Sequence, residues 1–173
     1  MLTPRARAFA VLALLLVAGL ALLSGCGGED PPQTKEGFIL DADGVCESFV
    51  ADFEEAGSQN PGTPKEVADA NKVLADLYEG FSDRIKEVRL PPSGAARTQA
   101  QAYVNSVRRS EPLLDRLRDR GDDFLEAAEG SDARALSAAG NNLRGALDAF
   151  RATRSASDVL AVEYGLNLCG NLG

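Results

Sequence analysis

The chain has 173 residues, of which 45% are apolar and 25% charged, and this is the composition of about one globular domain. It contains no histidine, and its formal net charge is −8. The missing histidine excludes a Ser-His-Asp triad, a Cys-His dyad and any zinc site that needs an imidazole ligand. The negative charge disfavours nucleic acid as a partner, because phosphate binding needs a basic face.

The first 25 residues have the pattern of a secretion signal. Arg5 and Arg7 give a positively charged start, and no acidic residue precedes Glu29. An apolar run follows over residues 8–23. This run is short for a membrane span, which needs about 20 residues, and it fits the apolar part of a signal peptide.

The segment Leu23-Ser24-Gly25-Cys26 closes this signal. It resembles the lipobox of bacterial lipoproteins, in which a branched apolar residue and two small residues precede a cysteine. The resemblance implies transfer of a diacylglyceryl group to the Cys26 thiol, cleavage after Gly25, and often acylation of the new amino group by a fatty acid such as palmitate. Because two or three acyl chains suffice for stable anchoring, membrane lipid is then a partner on the extracytoplasmic face of the cell membrane. An ordinary cleaved signal peptide and an uncleaved anchor are the alternatives.

The chain therefore divides into three predicted segments. Residues 1–25 are the signal peptide, and residues 26–37 are the lipidated cysteine with a flexible tether of Gly, Pro and charged residues. Residues 38–173 form one helical domain. Removing the signal, which holds two arginines and no acid, changes the net charge from −8 to −10.

Apolar residues in this domain recur at helical spacing, which predicts helices rather than strands. A first, short helix with an apolar face is expected to begin at Asp41 or Asp43; that face consists of Val45, Cys46, Phe49, Val50 and Phe53. Thr63 and Glu66 have the spacing of a capping box and open a long second helix, which Pro91 ends. The apolar seam of the second helix contains Val67, Leu74, Leu77, Tyr78, Phe81, Ile85 and Val88.

Two further long helices follow. The third covers residues 95–129, and Pro112 inside it should kink the helix or restart it near Ser110. Ser131 is placed to cap the fourth helix, and Gly165 to end it in a left-handed conformation. The seam of the fourth helix contains Leu136, Leu143, Leu147, Phe150, Ser157, Leu160 and Tyr164.

Three long helices and one shorter N-terminal helix, each with one apolar stripe, predict an all-α antiparallel up-down bundle. In this order the start of the first helix and the end of the last lie at the same end, where Cys46 and Cys169 fall. Once Cys26 carries lipid, these two cysteines are an even pair outside the cytoplasm, which predicts a disulfide. Two buried free thiols are the alternative. A dimeric coiled coil competes with the bundle, but the stripes of one chain can cover one another, so we expect a monomer.

Three short segments of this chain resemble segments found in a known group of proteins. They are Val45-Cys46 opening the first helix, Leu90-Pro91-Pro92 at a helix–helix corner, and the segment 164–170 (YGLNLCG). Together with the lipobox they look like small uncharacterised secreted lipoproteins of actinobacteria. The resemblance implies a lipid-anchored helical domain with a Cys–Cys link, and it implies no activity.

Glycines within the long helices suggest a candidate ligand site. Each costs about 1 kcal/mol relative to alanine in a helix interior. Close approach of neighbouring helices explains such glycines, and a cavity between helices is the second explanation. Gly140 with Asn141 and Asn142 would give that cavity a polar lining for a small apolar or amphiphilic ligand. The four glycines are Gly80, Gly121, Gly140 and Gly145.

No motif predicts catalysis, a metal or a cofactor. Asp41 and Asp43 begin like a calcium loop, but Val45 and Cys46 then occupy the positions that need an oxygen ligand and a glycine. The arginines between residues 108 and 120 alternate with acids, which is typical of a solvated helix face. Four carboxylates could serve a hydrolase, but nothing selects a pair among them: Glu54, Glu55, Glu87 and Glu163.

The sequence thus favours a non-catalytic interaction module that binds another envelope protein or a wall polymer. A bundle that holds a small apolar or amphiphilic solute is the alternative, and a hydrolase that uses carboxylates is less favoured. Each of these three functions predicts a different structural feature. An interaction module should have a packed core and an exposed apolar surface, a solute carrier should have a closed apolar cavity, and a hydrolase should have facing carboxylates in a cleft.

Overall fold

The structure is a computed structural model, and it describes residues 32–57 and 61–172. The predicted signal peptide and Cys26 lie outside the described residues. Within these residues 83% are helical and no strand occurs, so the predicted all-α bundle is confirmed. The described residues from Gln33 onward belong to one compact unit.

Five α-helices and one 3₁₀ turn make up this unit. Helices α3 and α4 together occupy the predicted third helix, and α5 packs along both. Helix α2 packs chiefly on α4, and α1 packs on α2 and on the 3₁₀ turn. In chain order the elements are α1 (Lys35–Ala56), α2 (Pro64–Glu87), α3 (Gly94–Arg108), α4 (Glu111–Glu129), α5 (Ala133–Tyr164) and the 3₁₀ turn (Cys169–Asn171).

Helix α1 is longer than predicted. It has 22 residues and begins at Lys35, inside the segment 26–37 that we expected to be a tether. Its N-cap is Thr34, whose hydroxyl accepts the backbone N–H of Gly37 at 3.0 Å. The prediction that Asp41 or Asp43 caps this helix is therefore wrong. Tertiary packing explains the longer helix, because α1 buries an apolar residue on nearly every turn: Phe38, Ala42, Cys46 and Phe49.

The predicted start of α2 and the predicted restart of the third helix are confirmed. Thr63 and Glu66 form a complete capping box: the Glu66 N–H donates to the Thr63 hydroxyl at 3.3 Å, and the Thr63 N–H donates to the Glu66 carboxylate at 2.9 Å. Helix α3 ends at Arg108, and α4 begins at Glu111 with Pro112 in its first turn.

The end of α5 is as predicted, but its start is not. Gly165 has a φ of 102°, and the next N–H, that of Leu166, donates to the Ala161 carbonyl at 2.9 Å. This is the Schellman pattern, with Leu166 fully buried. Asp132 caps α5 instead of Ser131, because its carboxylate accepts two N–H groups of the first turn, at 2.8 and 3.3 Å.

Aromatic rings fill the centre of the bundle. Tyr78 of α2 makes an edge contact with Phe150 of α5, with ring centroids 4.9 Å apart, and Phe49 of α1 lies 5.0 Å from Phe81 of α2. Such pairs contribute about 0.5–1.5 kcal/mol beyond the burial of their area. The other large side chains that are fully buried are Tyr103, Tyr164, Phe38, Ile85, Leu114, Leu117, Leu166 and Val107.

A disulfide fastens the C-terminal segment to α1. Cys46 and Cys169 are bonded, their Cα atoms lie 5.2 Å apart, and both are buried. This confirms the predicted pair, although Cys46 lies in the middle of α1 rather than at its start. Asp43, one turn before Cys46, holds the same segment: its carboxylate accepts the N–H groups of Asn167, Leu168 and Cys169 at 3.2, 3.0 and 3.3 Å.

Candidate functional site

An apolar groove of about 530 Å³ lies on the side of the bundle where α1 ends. It is half enclosed and open to solvent along one side. The last turns of α1, the first half of α2 and the middle of α5 line it. The lining residues are Phe53, Ala56, Gly57, Asp69, Ala70, Asn71, Val73, Leu74, Leu77, Leu147 and Arg151.

The groove forms because α1 is shorter than α5. The ring of Phe38 packs against that of Tyr164, at 5.4 Å, so the start of α1 lies beside the end of α5. At 1.5 Å per residue α1 is about 33 Å long and α5 about 48 Å. Past Ala56, therefore, α2, α4 and α5 continue without α1, and the groove lies at the step from four helices to three.

The three remaining helices stay closely packed beyond this step. A Cβ atom added to Gly121 of α4 would lie 3.7 Å from the backbone of Ala68 on α2. A Cβ atom added to Gly140 of α5 would lie 3.5 Å from the ring of Phe124 on α4. Both distances are ordinary van der Waals contacts, so an alanine would fit at either position and the helix approach does not require these two glycines.

The apolar part of the groove follows one stripe of α2. Ala70, Val73 and Leu77 lie at positions i, i+3 and i+7, so they share one face over two turns, about 10 Å of helix. Phe53 and Val73 keep 47% and 44% of their surface exposed. Because such large apolar side chains are costly to leave in water, this surface is suited to contact with another molecule.

Several lining residues have the apolar spacing that predicts a place in the core. Phe53, Leu74, Leu77 and Leu147 all fit the apolar seams, yet the structure leaves each of them partly exposed at the groove. Periodicity shows which face of a helix is apolar, but it does not show how far along that face a neighbouring helix extends. The groove could have been found from the sequence only by predicting where α1 ends relative to α5.

The rim of the groove is positively charged on the α5 side. Asp69 is neutralised by a close ion pair with Lys65. Arg151 is 71% exposed, and within the described residues it forms one ion pair, with Asp148, which is long at 3.8 Å. Arg144 lies two turns before Arg151 on the same face, is exposed, and has no ion pair among the described residues. The two guanidinium groups are thus available to an anionic partner.

The predicted ligand residues do not line the groove. Gly140 packs on α4 as described above, and Asn141 and Asn142 are exposed on α5. The structure therefore does not bring these three residues together around the groove.

A polar cluster lies inside the core, where α3 ends and α4 begins. The Tyr103 hydroxyl lies 3.8 Å from the Cys46 sulfur, and Ser110 is fully buried. Burial raises the pKa of Tyr78 to about 12 and also raises that of Tyr103. Burial raises the pKa of Asp158 as well, although the neighbouring Arg154 opposes this shift. The tyrosines therefore stay protonated near neutral pH and contribute packing rather than acid–base chemistry.

A second polar cluster joins α2 to α4 at the surface. Arg118 pairs with Asp76 at 2.8 Å and Glu79 at 2.5 Å, and Lys86 pairs with Glu111 at 3.0 Å. The hydrogen bond from Lys86 lowers the pKa of Glu111. These oppositely charged side chains pair with one another, so the cluster links α2 to α4. The expected solvated arginine face is present, but Arg118 also bridges two helices.

Three observations on the described residues concern catalysis, metal binding and membrane insertion. The four carboxylates considered for hydrolysis, at positions 54, 55, 87 and 163, are exposed. No group of three or more Cys, Asp or Glu side chains in the described part could hold a metal ion. No described helix is long and apolar enough to cross a membrane.

Comparison of the chain with models of protein families, with curated proteins and with solved structures found no match. The function must therefore be inferred from the residues of this chain. The groove between α1, α2 and α5 is the feature on which that inference rests.

Proposed function

We propose that this protein is a lipid-anchored, non-catalytic binding module of the cell envelope, and that the groove between α1, α2 and α5 holds its partner. The observation that carries the proposal is an open apolar groove beside a filled aromatic core. An interaction module needs a rigid body with an exposed apolar surface, whereas a solute carrier needs an enclosed cavity. The groove is half open, which favours the first.

The anchor in this proposal is Cys26, on the evidence of the lipobox-like sequence. Helix α1 begins at Lys35, so residues 27–34 alone would separate the lipid from the bundle. Even fully extended, they reach at most about 30 Å. The bundle would thus stay close to the outer face of the membrane, where another envelope protein or a wall polymer is the available partner.

The titratable groups support a role without catalysis. General acid–base catalysis needs groups with pKa values near the working pH. Here burial raises the pKa values of the core tyrosines, and hydrogen bonds lower those of Glu66 and Glu111. These shifts lead away from neutral pH, whereas burial raises the pKa of Asp158 and the neighbouring Arg154 opposes that shift.

A small amphiphilic ligand is the second candidate for the groove. Its volume of about 530 Å³ lies within the range of roughly 300–1,000 Å³ that is usual for small-molecule sites. Arg151 could bind an anionic head group at the rim. This candidate differs from the first in what should be recovered from the groove: a free ligand rather than a macromolecule.

Photocrosslinking in cells tests the binding role. A benzophenone side chain placed at Val73, in the groove, should crosslink the full-length protein to an envelope protein or a wall polymer. The same side chain at Val159, an exposed valine of α5 outside the groove, is the matched control. Equal crosslinking from both positions would contradict the proposal. No crosslink from Val73, with a ligand seen by native mass spectrometry, would establish the second candidate instead.

Fatty-acid labelling tests the anchor separately. The variant Cys26→Ser should lose the fatty-acid label and be processed slowly, because the hydroxyl of serine does not replace the thiol that accepts the lipid. Fractionation of cells should then release the bundle from the membrane or leave it as a precursor. A variant that is cut and retained like the wild type would refute lipidation at Cys26.

A further inference from the structure

The half-open shape of the groove limits which apolar partners fit it. An acyl chain is apolar on all sides, so a groove open along one side leaves part of it in water. Small-molecule sites usually bury about 70–90% of the ligand surface. An amphipathic helix is apolar on one face only and keeps its other face in water. Such a helix therefore matches an open groove better than an acyl chain does.

The dimensions of the groove also fit a helix. The stripe of α2 from Ala70 to Leu77, in which Val73 is exposed and the other two residues are half-buried, covers two turns. Two turns is the contact length of a partner with apolar side chains at positions i, i+3 or i+4, and i+7. The stripe lies at the step where the bundle changes from four helices to three. A helix seated there would take the place in the bundle that α1 occupies up to Ala56.

The charges beside the groove determine the polarity of this helix. Arg144 and Arg151 form a cationic rim on α5, and Asp69 is already paired with Lys65. The two acids that follow Phe53, at positions 54 and 55, are rotated from it by about 100° and 200° around α1, so they face away from the groove. Asp148 lies between the two arginines on α5 and pairs with Arg151, so two arginines and one aspartate leave one net positive charge on this rim, although the whole chain is acidic.

We infer that the groove binds an amphipathic α-helix of a partner protein, with an apolar stripe seated on α2 and an acidic flank facing Arg144 and Arg151. This inference rests on the proposed function and names the chemistry of the partner. Burial of the exposed surfaces of Phe53 and Val73 would provide affinity. The two arginines would fix the orientation of the helix and exclude helices with a basic flank.

Designed peptides can test this directly. Three helical peptides are compared: one with a leucine stripe at positions i, i+3, i+4 and i+7 and glutamates on one flank, one with lysines on that flank, and one of the first composition with the stripe scrambled. Binding to the full-length protein in lipid nanodiscs is measured by fluorescence anisotropy. We expect the glutamate peptide to bind about tenfold more tightly than the lysine peptide, and the scrambled peptide to bind least.

Two sets of variants locate the binding. Exchanging the rim charges, Arg144→Glu with Arg151→Glu, should reverse the preference between the glutamate and lysine peptides. Val73→Glu should abolish binding of all three, whereas Val159→Glu, the matched change outside the groove, should leave binding unchanged. All these positions are exposed, and circular dichroism confirms that each variant keeps its helical content.

The inference is overturned if the lysine peptide binds as tightly as the glutamate peptide, if the rim exchange leaves the preference unchanged, or if none of the peptides binds. Displacement of a groove-bound dye by dodecanoate, without binding of any peptide, would assign the groove to an amphiphile. These results are distinct from failure of the proposed function. Crosslinks from Val73 in cells would still show that the groove binds a macromolecule, but not one with an acidic amphipathic helix.

Discussion

Asp43 shows how a single side chain can take a role that its local sequence does not reveal. Its position near the predicted helix start made it a candidate N-cap, and acidic residues commonly serve in that place. In the structure it lies in the middle of α1 and accepts three backbone N–H groups from residues 167–169. Those donors are distant in sequence and are brought to Asp43 by the fold, so neighbouring residues could not have predicted the contact.

Replacing Asp43 should therefore loosen the C-terminal segment. Asp43→Ala leaves three N–H groups without their acceptor, and we expect a loss of about 1–3 kcal/mol in the free energy of unfolding, measured by urea denaturation. Asp43→Asn, which keeps one acceptor oxygen, should lose less. Asp41→Ala is the control, since in the part of the chain that the structure describes the Asp41 side chain accepts a single, exposed hydrogen bond, from Gln33. Equal effects of the two alanine substitutions would show that the Asp43 contacts do not stabilise the fold.

The three tyrosines predict how stability depends on alkaline pH. Burial raises the pKa of Tyr78 to about 12, and also raises those of Tyr103 and Tyr164. Because the folded state then holds these protons more tightly than the unfolded state, their contribution is complete below about pH 10 and is lost as the pH rises towards 12. For Tyr78 alone this amounts to roughly 3 kcal/mol.

Ultraviolet absorbance of phenolate near 295 nm checks this prediction. At about pH 10.5 the folded protein should show little phenolate, whereas the protein in urea should be more than half ionised. A native titration with its midpoint near pH 10 would show that the tyrosines are accessible to solvent, contrary to the packed core described above.

At the scale of the helices, termini with strong local signals were predictable and weaker ones were not. The capping box of Thr63 and the left-handed Gly165 both depend on residues within one turn, so the sequence contains the complete signal. The start of α1 does not depend on neighbouring residues alone. Gly37 weakens the first turn locally, and the packing of Phe38 against Tyr164, a residue distant in sequence, stabilises that turn. Ser131 and Asp132 are adjacent and both residue types commonly cap helices, so the sequence did not show which of the two caps α5.

The capping box gives a prediction with an internal control. Thr63→Ala removes the hydroxyl that accepts the Glu66 N–H, and we expect it to cost about 1 kcal/mol in the free energy of unfolding. Ser93 occupies the same N-cap position in α3 but makes no capping hydrogen bond, so Ser93→Ala should cost less than about 0.5 kcal/mol. Urea denaturation of both variants measures the difference. A larger effect at Ser93 than at Thr63 would contradict this account of the helix starts.

At the scale of the molecule, the sequence predicts the bundle and its covalent link but not the groove between α1, α2 and α5. Four apolar stripes and two cysteines at one end constrain the topology strongly. In the chain-entropy model the bond between Cys46 and Cys169, 123 residues apart, contributes roughly 5 kcal/mol. The groove depends instead on the end of α1 at Ala56 beside the longer α5, and the apolar pattern is the same for covered and uncovered residues. Phe53 and Leu74 therefore fitted the core pattern although they line the groove.

We propose that a partner outside the cytoplasm occupies this groove, and protection of single cysteines in living cells tests this proposal most directly. Val73→Cys, in the groove, and Val159→Cys, outside it, have similar exposure, 44% and 55% for the native valines. Each variant is treated with a membrane-impermeant maleimide, both in intact cells and as purified protein.

We expect the two cysteines to react at similar rates in the purified protein, whereas in cells the Val73→Cys thiol should be protected several-fold relative to the Val159→Cys thiol. Reaction at the Val159 position in intact cells would show that the bundle lies outside the membrane. Equal reaction of both thiols in cells would show that the groove is unoccupied, and reaction of neither thiol until the cells are lysed would show that the protein is not outside the cytoplasm; either result would contradict the account.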